Sequence, residues 1–109
     1  MPETNVYKLL YQGQLAASVS TLATIGSGKS WIIKHFTVIN NDSAARTFAL
    51  YRQGTAASNI ITPAQMSVPA GGMVEWDGSM CLTDGETLRG VASVATQLTL
   101  TVSGDEVTL

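Results

Sequence analysis

Gln97-Leu98-Thr99-Leu100-Thr101-Val102-Ser103 alternates polar and apolar side chains without a break. Successive side chains of an extended strand point to opposite faces, so Leu98, Leu100 and Val102 line one face while Thr99 and Thr101 line the other. The stretch predicts a half-buried antiparallel strand. Ala45–Gln53 repeats the pattern, with Phe48 and Leu50 inward, Thr47 and Ala49 outward, and Tyr51 large enough to cover its neighbours. Glu86–Val94 sets Leu88, Gly90, Ala92 and Val94 against Thr87, Arg89, Val91 and Ser93. Small residues at 90 and 92 imply that another element packs closely above them. Helical spacing is nowhere sustained.

Ser30–Asn40 differs in being apolar on both parities: Ile32, Phe36 and Val38 on one, Trp31, Ile33 and Ile39 on the other. A strand apolar on both faces is either central and covered or part of a subunit contact, and a contact through Trp31, Ile33 and Ile39 is expected. Between these segments lie Asn40-Asn41-Asp42-Ser43, Gln53-Gly54, Pro69-Ala70-Gly71-Gly72, Asp77-Gly78 and Asp84-Gly85, all turn chemistry. Shorter strands are expected over Val6–Tyr11, Ser18–Ile25, Asn59–Thr62, Gly72–Trp76 and Met80–Thr83. About eight or nine strands with turns roughly every ten residues predict an all-β chain folded as a single antiparallel β-sandwich of jelly-roll-like form. Residues 25–109 make the sandwich domain. Residues 1–24 supply its first strands or an N-terminal arm lying on a neighbour, as part of the same unit. Asn40, ending the long strand on the parity of Phe36 and Val38, is placed to bond loop backbone and pin the following turn. Gly85 suits a turn with positive φ.

The chain has 109 residues, 45% of them hydrophobic and 13% charged. That length is one domain, burying roughly 65% of its unfolded surface. The charged fraction is about half the usual quarter, so the surface is mostly uncharged Thr, Ser, Asn and Gln. A net charge of −2, with six Lys and Arg scattered from Lys8 to Arg89, excludes the basic stripe a nucleic-acid partner requires. No apolar run approaches the roughly 20 residues of a membrane span, and Met1-Pro2-Glu3-Thr4-Asn5 lacks a signal peptide's pattern. Cys81 stands alone, which fits synthesis in a reducing cytoplasm, and is read as a small buried hydrophobe.

Residues that carry chemistry elsewhere do not assemble into a catalytic set. Gly26-Ser27-Gly28-Lys29-Ser30 ends like a phosphate loop, but Ala23 occupies the position of the first glycine and Trp31-Ile32-Ile33 continues as strand. A turn with Lys29 at its tip is expected instead. His35 is the only histidine, so it has no second histidine to share a metal, and Cys81 has no activating sequence context. Glu75, Asp77, Asp84 and Glu86 are near in sequence but read as turn formers at strand ends rather than a calcium site. Neither cofactor nor metal is implied. Tyr51, Arg52 and Trp76 could stack on a sugar, although core or subunit packing is the more ordinary use of such residues.

Ile25-Gly26-Ser27-Gly28-Lys29-Ser30-Trp31-Ile32-Ile33-Lys34-His35-Phe36-Thr37-Val38-Ile39-Asn40-Asn41, followed by Ala45-Arg46-Thr47-Phe48-Ala49-Leu50-Tyr51, resembles small structural proteins of tailed bacteriophages. The shared phrase is a Gly-Lys loop, a long strand ending in Asn, a short polar turn and an alternating strand. The resemblance continues through Val68–Gly72, Leu82–Gly90 and Leu98–Glu106 and spans roughly residues 25 to 107. It implies a non-enzymatic virion protein made in the host cytoplasm, and first a capsid decoration (cement) protein. In that family such proteins are often jelly-roll homotrimers that sit where major capsid subunits meet and hold the shell against packaged DNA. A head-to-tail connector or a carbohydrate-binding tail-tip module is the alternative the resemblance leaves open.

Overall fold

The computed structural model describes residues 4–53, 60–62 and 65–108, and its regular structure there is entirely β. The strands are β1 (Thr4–Gln14), β2 (Ser20–Thr24), β3 (Lys29–Asn40), β4 (Arg46–Arg52), β5 (Met66–Val68), β6 (Met73–Leu82), β7 (Thr87–Ala92) and β8 (Leu98–Thr108). They form two four-stranded sheets, ordered β1-β8-β3-β6 and β2-β7-β4-β5. All pairings are antiparallel. The chain changes sheet at every connection except β4 to β5, and the first and last strands lie side by side, a jelly-roll-like order.

The first sheet is much the larger, with strands of 10 to 12 residues against 3 to 7 in the second. Long strands make the molecule 50 Å in its longest dimension against 26 and 20 Å. Residues 4–24 contribute to both sheets, β1 at the edge of the larger and β2 at the edge of the smaller. Gly54 and Asn59, named above in a turn and a strand, lie outside the described residues; Ile60 makes a single bridge to Tyr51.

A line of register irregularities crosses the larger sheet. Leu10 in β1 and Lys34 in β3 are each an extra residue, and the β3–β6 register slips at the same level. A bulge of this kind reverses which parity faces the core. Trp31 and Ile33 before it, and Phe36 and Val38 after it, therefore all point inward. This corrects the two-sided reading of the strand: Ile32 moves to the outer parity, and Trp31 and Ile33, at 7% and 2% exposed, are core. Only Ile39 of the expected contact trio reaches the surface, at 39%.

The inward rows are Val6-Glu106-Trp31-Leu82, Lys8-Gly104-Ile33-Met80, Tyr11-Val102-Phe36-Trp76 and Gly13-Leu100-Val38-Val74. Opposite them the smaller sheet contributes Phe48, Leu50, Leu88 and Ala92, with Leu15 and Ile25 closing the ends. Gly90 suits this close packing, since a Cβ would sit 3.1 Å from the Leu22 and Leu50 methyls, which would have to give by a few tenths of an ångström. At one end Glu106 accepts a hydrogen bond from Trp31 Nε1 (3.1 Å) and pairs with Lys8 (3.2 Å) and Lys29 (3.5 Å). The indole bond, then the lysines, hold its carboxyl below the usual range. Lys29 is thus the first residue of β3, tied to β8, rather than a free loop tip.

Two further sequence expectations are corrected by this sheet. Gly72–Trp76 and Met80–Thr83 are not separate strands, because β6 runs unbroken through Asp77-Gly78. Cys81 is exposed, since it pairs with Ile32 on the outer parity while Met80 and Leu82 turn inward. The Pro69–Gly72 and Asp84-Gly85 turns form as expected, with Gly71 and Gly85 at φ +64° and +79°.

Candidate functional site

Among the described residues, no second layer covers the outer face of the larger sheet. Its rows, read from β1 across to β6, are Gln14-Thr99-Ile39-Met73, Gln12-Thr101-Thr37-Glu75, Leu9-Ser103-His35-Asp77 and Tyr7-Asp105-Ile32-Cys81. Small hydroxyl side chains fill the middle: Gln12 Nε2 donates to Thr101 Oγ1 (3.3 Å), and Tyr7 Oη to Ser103 Oγ (3.5 Å). Apolar groups stand at opposite corners, Tyr7 and Leu9 on β1 and the cross-strand pair Ile39 and Met73 on β3 and β6. The face thus carries polar side chains across its middle, acidic groups towards β6 and apolar side chains at two opposite corners.

Among the described residues, one concentration of ligating groups on this face joins residues that the sequence keeps apart. His35 lies directly opposite Asp77, and Glu75 is two residues along β6 on the same side. His35 Nδ1 and Asp77 Oδ1 are 2.6 Å apart. An ionised carboxylate only accepts, so with Asp77 in that form the donor of this bond is Nδ1–H. One ligand atom from each of His35, Glu75 and Asp77 falls within 4.8 Å of the others. Sequence reading missed the group because Asp77-Gly78 looked like a turn, and in the absence of the register nothing linked position 35 to position 77.

The residues of the sugar-stacking reading do not share a surface. Trp76 belongs to the inward parity of β6 and stacks on Phe36, with ring centroids 5.4 Å apart and planes 18° from parallel. With Phe36 and Phe48 it lines a cleft of about 220 Å³ between the sheets. Tyr51 lies on the other sheet, on the parity opposite the buried Phe48 and Leu50. Arg52 is committed to Glu86, at 2.6 and 2.8 Å.

Glu86 also accepts from Thr83 N (2.7 Å) and Thr83 Oγ1 (2.8 Å), closing the Thr83–Glu86 turn. Arg52, then these bonds, lower its pKa from 4.5 to about 2. A depressed folded-state value means stability that is present above the unfolded value near 4.5 and lost as pH falls through about 2. In denaturant titrations from pH 7 to 2, Glu86→Gln is therefore expected to be less stable than the parent at pH 7. The gap should close between pH 4.5 and 2; a gap that stays constant would show that the ionised carboxylate contributes nothing.

No protein-family model matches the chain, and no curated protein matches it in sequence. Among solved structures it is similar to a chain of the acidic stable capsid of Helicobacter pylori bacteriophage KHP30, at 8% identity and a TM-score of 0.54, over 99% of this chain and 94% of that one. It is also similar, at 11% identity and a TM-score of 0.54, to a chain of the T13 particle of infectious bursal disease virus. That match covers 98% of this chain but 31% of the viral one, so here the whole chain corresponds to a portion of a larger protein. At these identities the likeness establishes the fold, a β-sandwich found in capsid proteins of a phage and of an animal virus.

Proposed function

We propose that the protein is a non-enzymatic structural component of a phage virion, and specifically a capsid decoration protein that docks on the assembled shell as a homotrimer. The observation that carries this reading is the end-to-end match to a capsid chain, over 99% of this chain and 94% of that one. That match is to a chain of about this length, whereas the equally similar bursal disease virus chain contains the fold as one portion of a larger protein. The bare outer face of the larger sheet supports it. Ile39 and Met73, 39% and 48% exposed and directly paired, supply the apolar anchor of the contact. Trp31 and Ile33 lie beneath it, in the core that supports the sheet. The separation of Tyr51 and Arg52 from Trp76 favours this over a carbohydrate-binding tail module.

Sedimentation velocity across a concentration series tests the assembly. The expected species has three times the 11.5 kDa chain mass, and Ile39→Asp shifts it towards monomer, because a buried unpaired carboxylate opposes association. A chain that is monomeric at every concentration, or an Ile39→Asp variant that assembles like the parent, would count against the proposed contact.

A further inference from the structure

We propose that His35, Glu75 and Asp77 form a binding site for a divalent transition-metal ion of the zinc class on the outer face of the larger sheet. The donor set is one imidazole and two carboxylates, all within 4.8 Å of one another. Zinc holds such ligands at about 2.0 to 2.2 Å, which places donor atoms roughly 3 to 4 Å apart around the ion. Closing the remaining gap needs only side-chain rotation. Glu75 is exposed and unbonded among the described residues, and Asp77 is exposed and held only by its bond to His35 Nδ1, whose proton a bound ion would displace.

The backbone supporting the three side chains is two paired strands, not a loop. His35 and Asp77 are cross-strand partners, and Glu75 shares the face one pleat away. Strand-borne ligands keep their spacing better than loop-borne ones. The extra residue Lys34 is what turns His35 outward. Without it His35 would take the inward parity of Ile33, and no imidazole would face the carboxylates.

Charge points the same way. Lys34, the nearest cation in sequence, is drawn off to Asp105 at 3.1 Å. Glu75, like Asp84, has no side-chain hydrogen bond or ion pair among the described residues, while Asp42, Asp77, Glu86, Asp105 and Glu106 all have partners. Two carboxylates therefore stand side by side with only a histidine between their charges, and a dication would compensate both. The imidazole selects zinc, cobalt or nickel over magnesium and calcium, which prefer oxygen alone. Three ligands from one chain leave a coordination position facing outward, open to water or to a donor from a second molecule.

Calorimetric titration with Zn²⁺ and visible absorption on adding Co²⁺, both on the full chain carrying Cys81→Ser, test the site. That background removes the exposed thiol as a competing ligand. The expected result is one ion per chain, undisplaced by excess Mg²⁺ or Ca²⁺. His35→Ala and Glu75→Gln should each weaken binding at least about tenfold, with the circular dichroism of the sandwich unchanged. Absence of saturable binding, or a His35→Ala variant that binds as tightly as its parent, overturns the assignment.

Discussion

Gly104→Ala is expected to destabilise the fold by at least about 3 kcal/mol, or lower its melting temperature by roughly 10 °C or more. Gly104 sits in β8 opposite Ile33, at the level where Lys34 bulges out of β3. There the two backbones approach so closely that a Cβ on residue 104 would run into the Ile32 carbonyl. Backbone cannot swing aside as a flexible side chain can, so the alanine must push the central strands of the larger sheet apart or unmake the bulge. Parting the strands breaks ladder hydrogen bonds, and losing the bulge turns residues on one side of it to the wrong face. Gly26→Ala is the matched control: its Cβ would meet only Lys29 Cδ, at 3.6 Å, and a change within about 0.5 kcal/mol is expected. Equal stability of the two variants in urea would mean that the close approach at residue 104 does not exist.

Asn40→Ala is expected to cost about 2 to 4 kcal/mol, and Asn40→Asp more. Asn40 is 1% exposed. Its Nδ2 donates to the carbonyls of Ala44 (2.9 Å), Val68 (3.1 Å) and Pro69 (3.3 Å), and its Oδ1 accepts from Asp42 N (2.8 Å). One amide thus joins the loop after β3 to the loop after β5. Arg46 reinforces the first loop through Asp42, at 2.6 Å, and that pairing holds the Asp42 carboxyl below its usual range. Alanine removes the side-chain donor from the buried Val68 carbonyl and from Ala44, while the Pro69 carbonyl keeps its bond from Gly72 N. Aspartate keeps the bond from Asp42 N but turns a second carboxylate oxygen towards three carbonyls, so repulsion and a buried charge add to the loss. The check is the denaturant midpoint at unchanged slope; an Asn40→Asp variant more stable than Asn40→Ala would show that the donor role is misassigned.

These two residues also mark what the sequence discloses and what it withholds. Asn40 is legible: an amide on the inward parity at the end of an apolar strand has to bond something, and loop backbone is what lies there. Gly85 is legible for the same kind of local reason. The bulge is not. Read as an unbroken strand, Ser30–Asn40 assigns Trp31 and Ile33 to one face and Phe36 and Val38 to the other, and only the shift at Lys34 makes them one core. The alternation of Gln97–Ser103 likewise reveals where β8 begins but not that it runs on to Thr108. Gly104 interrupts the apolar pattern because a backbone needs its space, and Asp105 follows on the outer face, paired with Lys34.

The ligating group on the outer face was hidden for a third reason. Asp77-Gly78 has the composition of a turn, yet β6 passes through it with a slip in register, and Asp77 comes to rest opposite His35. Local composition is the same in both arrangements. What decides between them is the pairing of two strands 42 residues apart, which is tertiary information.

The central claim, that this chain coats a capsid, is tested most directly by adding the purified protein to heads of its phage that lack it and sedimenting the heads. The account predicts saturable binding at a fixed number of copies per shell subunit, ordered on the lattice by cryo-electron microscopy and weakened by Ile39→Asp. A chain that stays in the supernatant at saturating concentration, with heads that remain bare, would contradict it.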